Sequence, residues 1–218
     1  MAQTENPARD RILEKIRAAL REPAPRHPSI EGRRIFALVE DPLDRFQKEC
    51  AANITECTVT PDLQASARFI ADALAQLPPG EIFIQDSSML RRMSSAWQDG
   101  RAIRWSSEGA PHEASQATIT HAEALVALTG SVLVSSSCGG RGATVVAPVH
   151  IVVATLDQLV PDLEAAFARI REREIHLRNS YVCLITGSSR TADIEKILVM
   201  GAHGPVRLLV VLSRSSAS

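Results

Sequence analysis

Residues 150–170 read HIVVATLDQLVPDLEAAFARI and contain one complete unit of the predicted fold. The apolar run from His150 to Ala154 is typical of a strand that is buried on both faces, because it does not alternate with polar residues. Pro161 begins a helix, since proline is tolerated only in the first turn. The apolar residues of this helix recur at helical spacing: Leu163, Phe167 and Ile170. The stretch therefore predicts a buried strand followed by an amphipathic helix.

The same alternation of strand and helix runs through most of the chain. Helices are predicted from residue 7, from residue 41, from residue 60, near 89–97, at 120–128, from residue 161 and at 191–200. Strands are predicted near 54–59, 81–85, 103–106, 131–134, 150–154, 181–185 and 206–212. Such alternation, with strands apolar on both faces, predicts an α/β fold with a mainly parallel sheet flanked by helices.

The helix predicted at 120–128 rests on a capping pattern. Thr120 and Glu123 have the capping-box spacing, in which each side chain bonds the backbone N–H of the other residue. Thr129-Gly130 would then end the helix before the next strand.

The N-terminal residues differ in composition from the rest of the chain. A short charged helix is expected after Asn6-Pro7, and the proline-rich segment 22–28 favours extended backbone. We therefore expect an arm at residues 1–34 and the main domain at residues 35–218.

Composition excludes several functional classes. The chain has 218 residues, a formal net charge of −1, 45% hydrophobic residues and 22% charged residues, which is ordinary for a globular protein. Without a basic excess, nucleic acid is not an expected partner. No apolar run approaches the ~20 residues that span a bilayer, and the charged N-terminus is unlike a signal peptide. We expect a soluble, cytoplasmic protein.

Four cysteines are scattered over the chain, at Cys50, Cys57, Cys138 and Cys183. Iron–sulfur clusters and structural zinc usually draw ligands from closely spaced pairs, and no C-x-x-C pair is present. We expect reduced thiols, no cofactor and no metal.

The first candidate ligand site is the predicted turn from strand to helix at Gly187, Ser188, Ser189, Arg190, Thr191 and Asp193. Glycine lets backbone approach a ligand, and a helix start offers free N–H groups to a small anion or a phosphorylated ligand. Arg190 could add two hydrogen bonds to that anion. The alternative is that the hydroxyls and the aspartate only cap the helix.

Two further segments could contribute to this site. His203 and Gly204 precede the last strand, where the histidine could bind an anion, exchange a proton or only hold the turn. Thr129 and Gly130 combine with the loop 135–142 to place hydroxyls and glycines at the ends of a strand. His150, by contrast, is expected to be a structural histidine. No catalytic residue is assigned.

Five segments, taken together and in this order, resemble the LUD domain of the lactate-utilisation protein C family. They are ITHAE at 119–123, TGS at 129–131, APVHI at 147–151, GSSRTADIE at 187–195 and GAHGP at 201–205. The resemblance covers roughly residues 35–213. Two positions depart from the family pattern: Ser188 stands where proline is common, and Leu128 stands where glutamate is common.

The resemblance implies a fold similar to the ribose-5-phosphate isomerase, glucosamine-6-phosphate isomerase and CoA-transferase group. It also implies a bacterial, non-redox component of an L-lactate oxidation system that acts with iron–sulfur partner proteins. The alternatives are a stand-alone isomerase or CoA-transferase-like enzyme, for which Glu123 and Glu195 are the candidate nucleophiles, and a ligand-sensing regulatory module. Whether the protein forms a homo-oligomer stays open.

Overall fold

The computed structural model describes residues 7–21, 35–97, 100–111, 113–192, 198–200 and 204–215. The chain divides into two compact units, Met1–Ala37 and Leu38–Ser218. The first contains helix α1, in which no side chain is buried. The proline-rich segment lies outside the described residues, so the boundary expected after residue 34 stays a prediction.

Six helices lie in the described residues. They are α1 (Pro7–Ala19), α2 (Pro42–Ala52), α3 (Leu63–Ala75), α4 (Ser88–Ser94), α5 (Leu163–Glu172) and the single turn α6 (Ile175–Arg178). Aspartates cap three of them: Asp41 precedes α2, Asp62 precedes α3 and Asp162 precedes α5, and each carboxylate accepts a backbone N–H of the first turn. Within the described part of the chain, no helix has the length and apolar character that a bilayer crossing needs.

Twelve strands are present in the same residues. They are β1 (Thr55–Thr60), β2 (Glu81–Ile84), β3 (Ile103–Trp105), β4 (Ser115–His121), β5 (Ala124–Val126), β6 (Ser131–Ser135), β7 (Val149–Thr155), β8 (Leu159–Val160), β9 (Val182–Ile185), β10 (Arg190–Ala192), β11 (Leu198–Met200) and β12 (Arg207–Ser213). The main sheet has the order β1-β12-β7-β4-β2-β3, and all its pairs are parallel. The predicted α/β class with a mainly parallel sheet is confirmed.

A second, smaller sheet has the order β8-β5-β6-β9 and mixes parallel and antiparallel pairs. Its strands β6 and β9 match predicted strands, whereas β5, β8 and the existence of a second sheet were not predicted. Alternate residues of β7 separate the two sides of the main sheet: Ile151 and Val153 pack with α3 and α4, while Val152 and Ala154 pack with α2 and the small sheet. Helices α5 and α6 cover the far face of the small sheet through Ala166, Ile170 and Ile175.

The helix predicted at 120–128 is wrong. Thr120 belongs to β4, and its hydroxyl bonds His150 instead of capping a helix. Residues 124–126 form β5, which pairs with β6 and β8. A short apolar run fits a buried strand as well as a buried helix, and here the neighbouring strands decide the structure.

The helix predicted at 191–200 is also wrong at both of its ends. Residues 190–192 form β10, which pairs antiparallel with β11 at 198–200. The backbone groups of each short strand are thus satisfied by the other strand instead of by helical bonds.

Phe167 was expected on the buried side of α5, yet its side chain is 52% exposed. Ala166 and Ile170, four positions apart, face the small sheet. Phe167 follows Ala166 by one residue, which turns its side chain by about 100° around the helix.

His150 on β7 is enclosed in the domain. A hydrogen bond joins its Nε2 to Thr120 Oγ1 at 2.8 Å, whereas its buried Nδ1 has no hydrogen-bond partner among the described residues. Burial lowers the pKa of His150 from its ordinary value of 6.5 to about 4. The histidine is structural, as expected, but only one of its nitrogens is satisfied.

We expect the protein to lose stability as the pH falls from 6.5 to about 4, because the unfolded chain then protonates this histidine and the folded chain does not. The contribution of His150 to that loss is on the order of 3 kcal/mol. Denaturant unfolding across this pH range should show a smaller slope of unfolding free energy against pH in His150→Gln than in the parent. The exposed His176→Gln is the control; equal slopes in all three proteins would contradict the assignment.

Candidate functional site

Several of the candidate residues from the sequence lie at the amino edge of the main sheet. Ser188 Oγ donates to Ile54 O at 2.9 Å, immediately before β1, and accepts from Leu208 N at 3.3 Å, at the start of β12. Ser189 N donates to Pro205 O at 2.9 Å, beside Gly204. The structure thus brings the turn at Gly187 and the turn at Gly204 together.

Thr129 lies on the same edge. Ser131 Oγ is 2.7 Å from Thr129 Oγ1 and 2.7 Å from Thr186 Oγ1, so three hydroxyls form a chain beside Gly187. Gly130 has φ +63°, and a Cβ there would lie 2.8 Å from the backbone N of Cys50. Gly130 therefore allows the turn to pack on the end of α2.

Several of these residues already have structural tasks. The hydroxyl of Ser188 joins β1 to β12, a role that the proline common at this position could not fill. Ile54 has φ +57°, a rare conformation for a β-branched residue, and its carbonyl is the one that Ser188 bonds.

The helix start that motivated this site is absent, because Arg190 and Thr191 lie in β10. Asp193 and His203 lie outside the described residues. Leu128 follows β5, and its backbone N donates to Pro161 O at 3.0 Å. Anion binding at this edge stays a prediction that rests on the glycine turns and on Arg190.

The opposite, carboxyl edge of the sheet holds a second group of polar residues. Strand β6 runs between the two edges, so Thr129-Gly130 lies at one end and the loop 136–142 lies at the other. Gly139 packs against the end of β2 and the residue after β3: an added Cβ would lie 2.6 Å from the Phe83 ring and 2.9 Å from Ser106 Cβ. Ligands of open α/β sheets bind at this edge, where the loops leave the strands.

The chain passes from one sheet to the other at this edge. Ala122 N donates to Val153 O of the main sheet at 3.0 Å, and the next backbone N, that of Glu123, donates to Leu133 O of the small sheet at 2.7 Å. Arg169 Nε of α5 donates to Glu123 O at 3.0 Å. The backbone that carries Glu123 is therefore held from three directions.

Gln158 fixes the ring of His121 in the same turn. Its Oε1 accepts from Thr155 N at 2.7 Å, so its Nε2 is the donor, to Ala122 O and to His121 Nε2 at 3.1 Å. Burial lowers the pKa of His121 from its ordinary value, although Glu123 opposes that effect. In the neutral form of His121, the contact with Gln158 makes Nε2 the acceptor and places the proton on Nδ1.

Glu123 is a candidate residue whose position the sequence patterns did not predict. Its Oε1 accepts hydrogen bonds from Ser135 Oγ at 2.6 Å and from Ser137 Oγ at 3.4 Å. The capping-box spacing had explained this residue as a helix-start residue. The useful sequence signal was the serine run that follows the predicted strand 131–134, because strand-end hydroxyls mark a ligand edge.

Asp86, after β2, is occupied by other contacts. Arg91 Nη2 and Ser107 Oγ donate to its Oδ2 at 2.7 Å and 2.5 Å, and the guanidinium lowers the pKa of this exposed carboxyl to about 2. Asp86 therefore remains an anion held by its neighbours. Among residues whose placement the structure gives, no three histidine, cysteine or acidic side chains come together as metal ligands.

Comparison with known proteins shows which family the chain resembles. Residues 111–213 match the model of the LUD domain. "Lactate utilization protein C" of Geobacillus sp. (strain WCH70) is 34% identical over 97 residues, covering 43% of this chain and 40% of that protein. The protein of the same name from Bacillus subtilis (strain 168) is 32% identical over 126 residues, covering 50% of this chain and 52% of that protein. The chain thus matches about half the length of these relatives, or less.

A solved structure supports the fold. The crystal structure of a DUF162 family protein from Deinococcus radiodurans superposes with a TM-score of 0.61 at 17% identity, covering 79% of this chain and 96% of that one. The expected resemblance to the LUD domain of lactate utilization protein C is confirmed over residues 111–213.

Proposed function

We propose that the protein is a component of an L-lactate utilisation system, has no redox centre of its own and acts with iron–sulfur partner proteins. The observation that carries this proposal is the LUD-domain match at 111–213 together with relatives named lactate utilization protein C. The scattered cysteines support the non-redox role, since cluster proteins usually supply closely spaced thiolates.

The domain's own task in such a system is to bind a small anionic or phosphorylated ligand. Two edges of the main sheet offer hydroxyls and glycine turns for this purpose. The amino edge was proposed from the sequence, with Thr129, Gly187 and Arg190 among its residues. At the carboxyl edge, the carboxylate of Glu123 lies beside the hydroxyls of Ser135 and Ser137.

A stand-alone enzyme of the isomerase or CoA-transferase type is the second candidate. One observation favours it: Glu123 is not a helix cap but lies at the carboxyl edge with two serine hydroxyls on one of its oxygens. A glutamate held in this way could act as a nucleophile or a base. Turnover of an acyl-CoA and a carboxylate by the purified chain, lost in Glu123→Gln, would support this function.

Deletion of the gene in the source organism should abolish growth on L-lactate but not on glucose. The intact chain should restore growth, and a tagged copy should co-purify iron-containing, cysteine-rich proteins from lactate-grown cells. Glu164→Gln, an exposed change on α5, should restore growth as the parent does. Undiminished growth of the deletion strain on L-lactate would refute the proposed role.

Anion binding at the amino edge can be tested by thermal melts with sulfate, phosphate and a phosphorylated sugar. A ligand that binds only the folded state stabilises it, by about 2.7 kcal/mol at one hundred times its dissociation constant. Arg190→Ala should remove most of that gain, whereas the exposed Arg171→Ala should keep it. If no anion shifts the melting of the parent, the amino edge is not an anion site.

A further inference from the structure

An open pocket of about 350 Å³ lies at the carboxyl edge, between the end of α5, the turn α6 and the loop after β6. Its lining residues are Glu123, Ser137, Arg173, Ile175, Arg178 and Asn179. They come from three separate segments of the chain. Carboxylate, guanidinium, amide and hydroxyl groups thus line one small space.

Asn179 holds two walls of the pocket together. Its Oδ1 accepts from Ser137 N at 2.8 Å and from Ser136 Oγ at 3.0 Å, and its Nδ2 donates to Ile175 O at 2.9 Å. The loop after β6 is thereby fixed to α6. The pocket is preorganised on this side.

Glu123 supplies the negative wall. Its Oε1 carries the hydrogen bonds from Ser135 and Ser137, while no described residue donates to its Oε2. The backbone on both sides of this residue is fixed by Leu133 and Arg169, so the carboxylate has a defined position. Oε2 is the acceptor that a ligand can use.

Arg173 supplies the positive wall. It is the residue after α5, and the left-handed backbone of Glu174, with φ 52° and ψ 29°, turns the chain directly into α6. Arg178 forms an ion pair with Glu174, with Nη2 3.6 Å from Oε2, so its charge is partly neutralised. The exposed side chain of Arg173 makes no hydrogen bond or ion pair with a described residue. Arg173 is therefore the cation available to a ligand.

The charges select one class of ligand. A carboxylate pairs its single negative charge with Arg173, whereas a phosphate dianion brings a second negative charge close to Glu123. A group that donates a hydrogen bond on the neighbouring carbon would satisfy Oε2 of Glu123, since a ligand that covers this acceptor without a donor loses affinity. A pocket of about 350 Å³ is at the small end of the range for ligand sites and has room for such a molecule.

We propose that this pocket binds a small monocarboxylate with a hydrogen-bond donor on the adjacent carbon, with the carboxylate on Arg173 and the donor on Glu123. The inference deepens the proposed function and rests on it in one respect, namely that ligand binding is the task of the domain.

The test is isothermal titration of the full chain with L-lactate, L-alanine, pyruvate, propionate and inorganic phosphate. L-Lactate or L-alanine, which carry a hydroxyl or an ammonium donor, should bind at least tenfold more tightly than pyruvate, propionate and phosphate. Equal affinity for propionate, preference for phosphate, or no binding by any of them would overturn the proposal.

Two variants locate the site. Arg173→Ala should weaken binding of L-lactate at least tenfold, whereas Arg171→Ala, on the last turn of α5 and outside the pocket, should leave it unchanged. Glu123→Ala should reduce the affinity for L-lactate to that for propionate. Because loss of Glu123 leaves two serine hydroxyls without their acceptor, the folding of Glu123→Ala is checked by a thermal melt. If Glu123→Ala is unstable, Arg173→Ala alone decides whether L-lactate binds in this pocket.

The two proposals fail separately. If L-lactate binds in this way and the deletion strain still grows on L-lactate, the system-level role is wrong and the pocket stands. If growth requires the chain and the titration shows no donor-dependent binding, the pocket assignment alone is wrong.

Discussion

Two consecutive backbone N–H groups, those of Ala122 and Glu123, bond to different sheets, and the architecture depends on that step. The main sheet ends its pairing at Ala122, and the small sheet begins at Glu123. Buried Gln158 completes the step by donating to Ala122 O while accepting from Thr155 N at the end of β7. Since a buried backbone group without a partner costs on the order of 1–3 kcal/mol, this position allows little movement. The fixed backbone also limits the positions that the side chain of Glu123 can take.

Much of the fold was predictable from the sequence, because β2, β7 and β12 of the main sheet are rich in apolar residues on both faces and most helices carry one apolar stripe. β7 and β12 were evident from runs such as Ile151 to Ala154. The run Ala124 to Leu128 was misassigned because five apolar residues without polar alternation fit a buried helix or a buried strand equally well. Its pairing with β6 and β8 depends on tertiary contacts that no local pattern contains.

The site was less predictable than the fold. Sequence patterns correctly grouped the turns at Gly187 and Gly204, which lie side by side, but gave them a helix start that the structure replaces with β10. Glu123 and Arg173 are fifty positions apart, and only the return of α5 to the carboxyl edge brings both to one pocket. The direction of each strand decides which edge a loop occupies. That direction follows from the topology and not from the residues of the loop.

Whether the carboxyl edge is the ligand-binding end of the molecule is the central question, and a crystal structure of the protein with saturating L-lactate answers it directly. The pocket geometry predicts electron density for one ligand between Glu123 and Arg173, with its carboxylate on the guanidinium and its hydroxyl on Glu123 Oε2. Density at the turn formed by Gly187 and Gly204, with the carboxyl edge empty, would contradict this assignment.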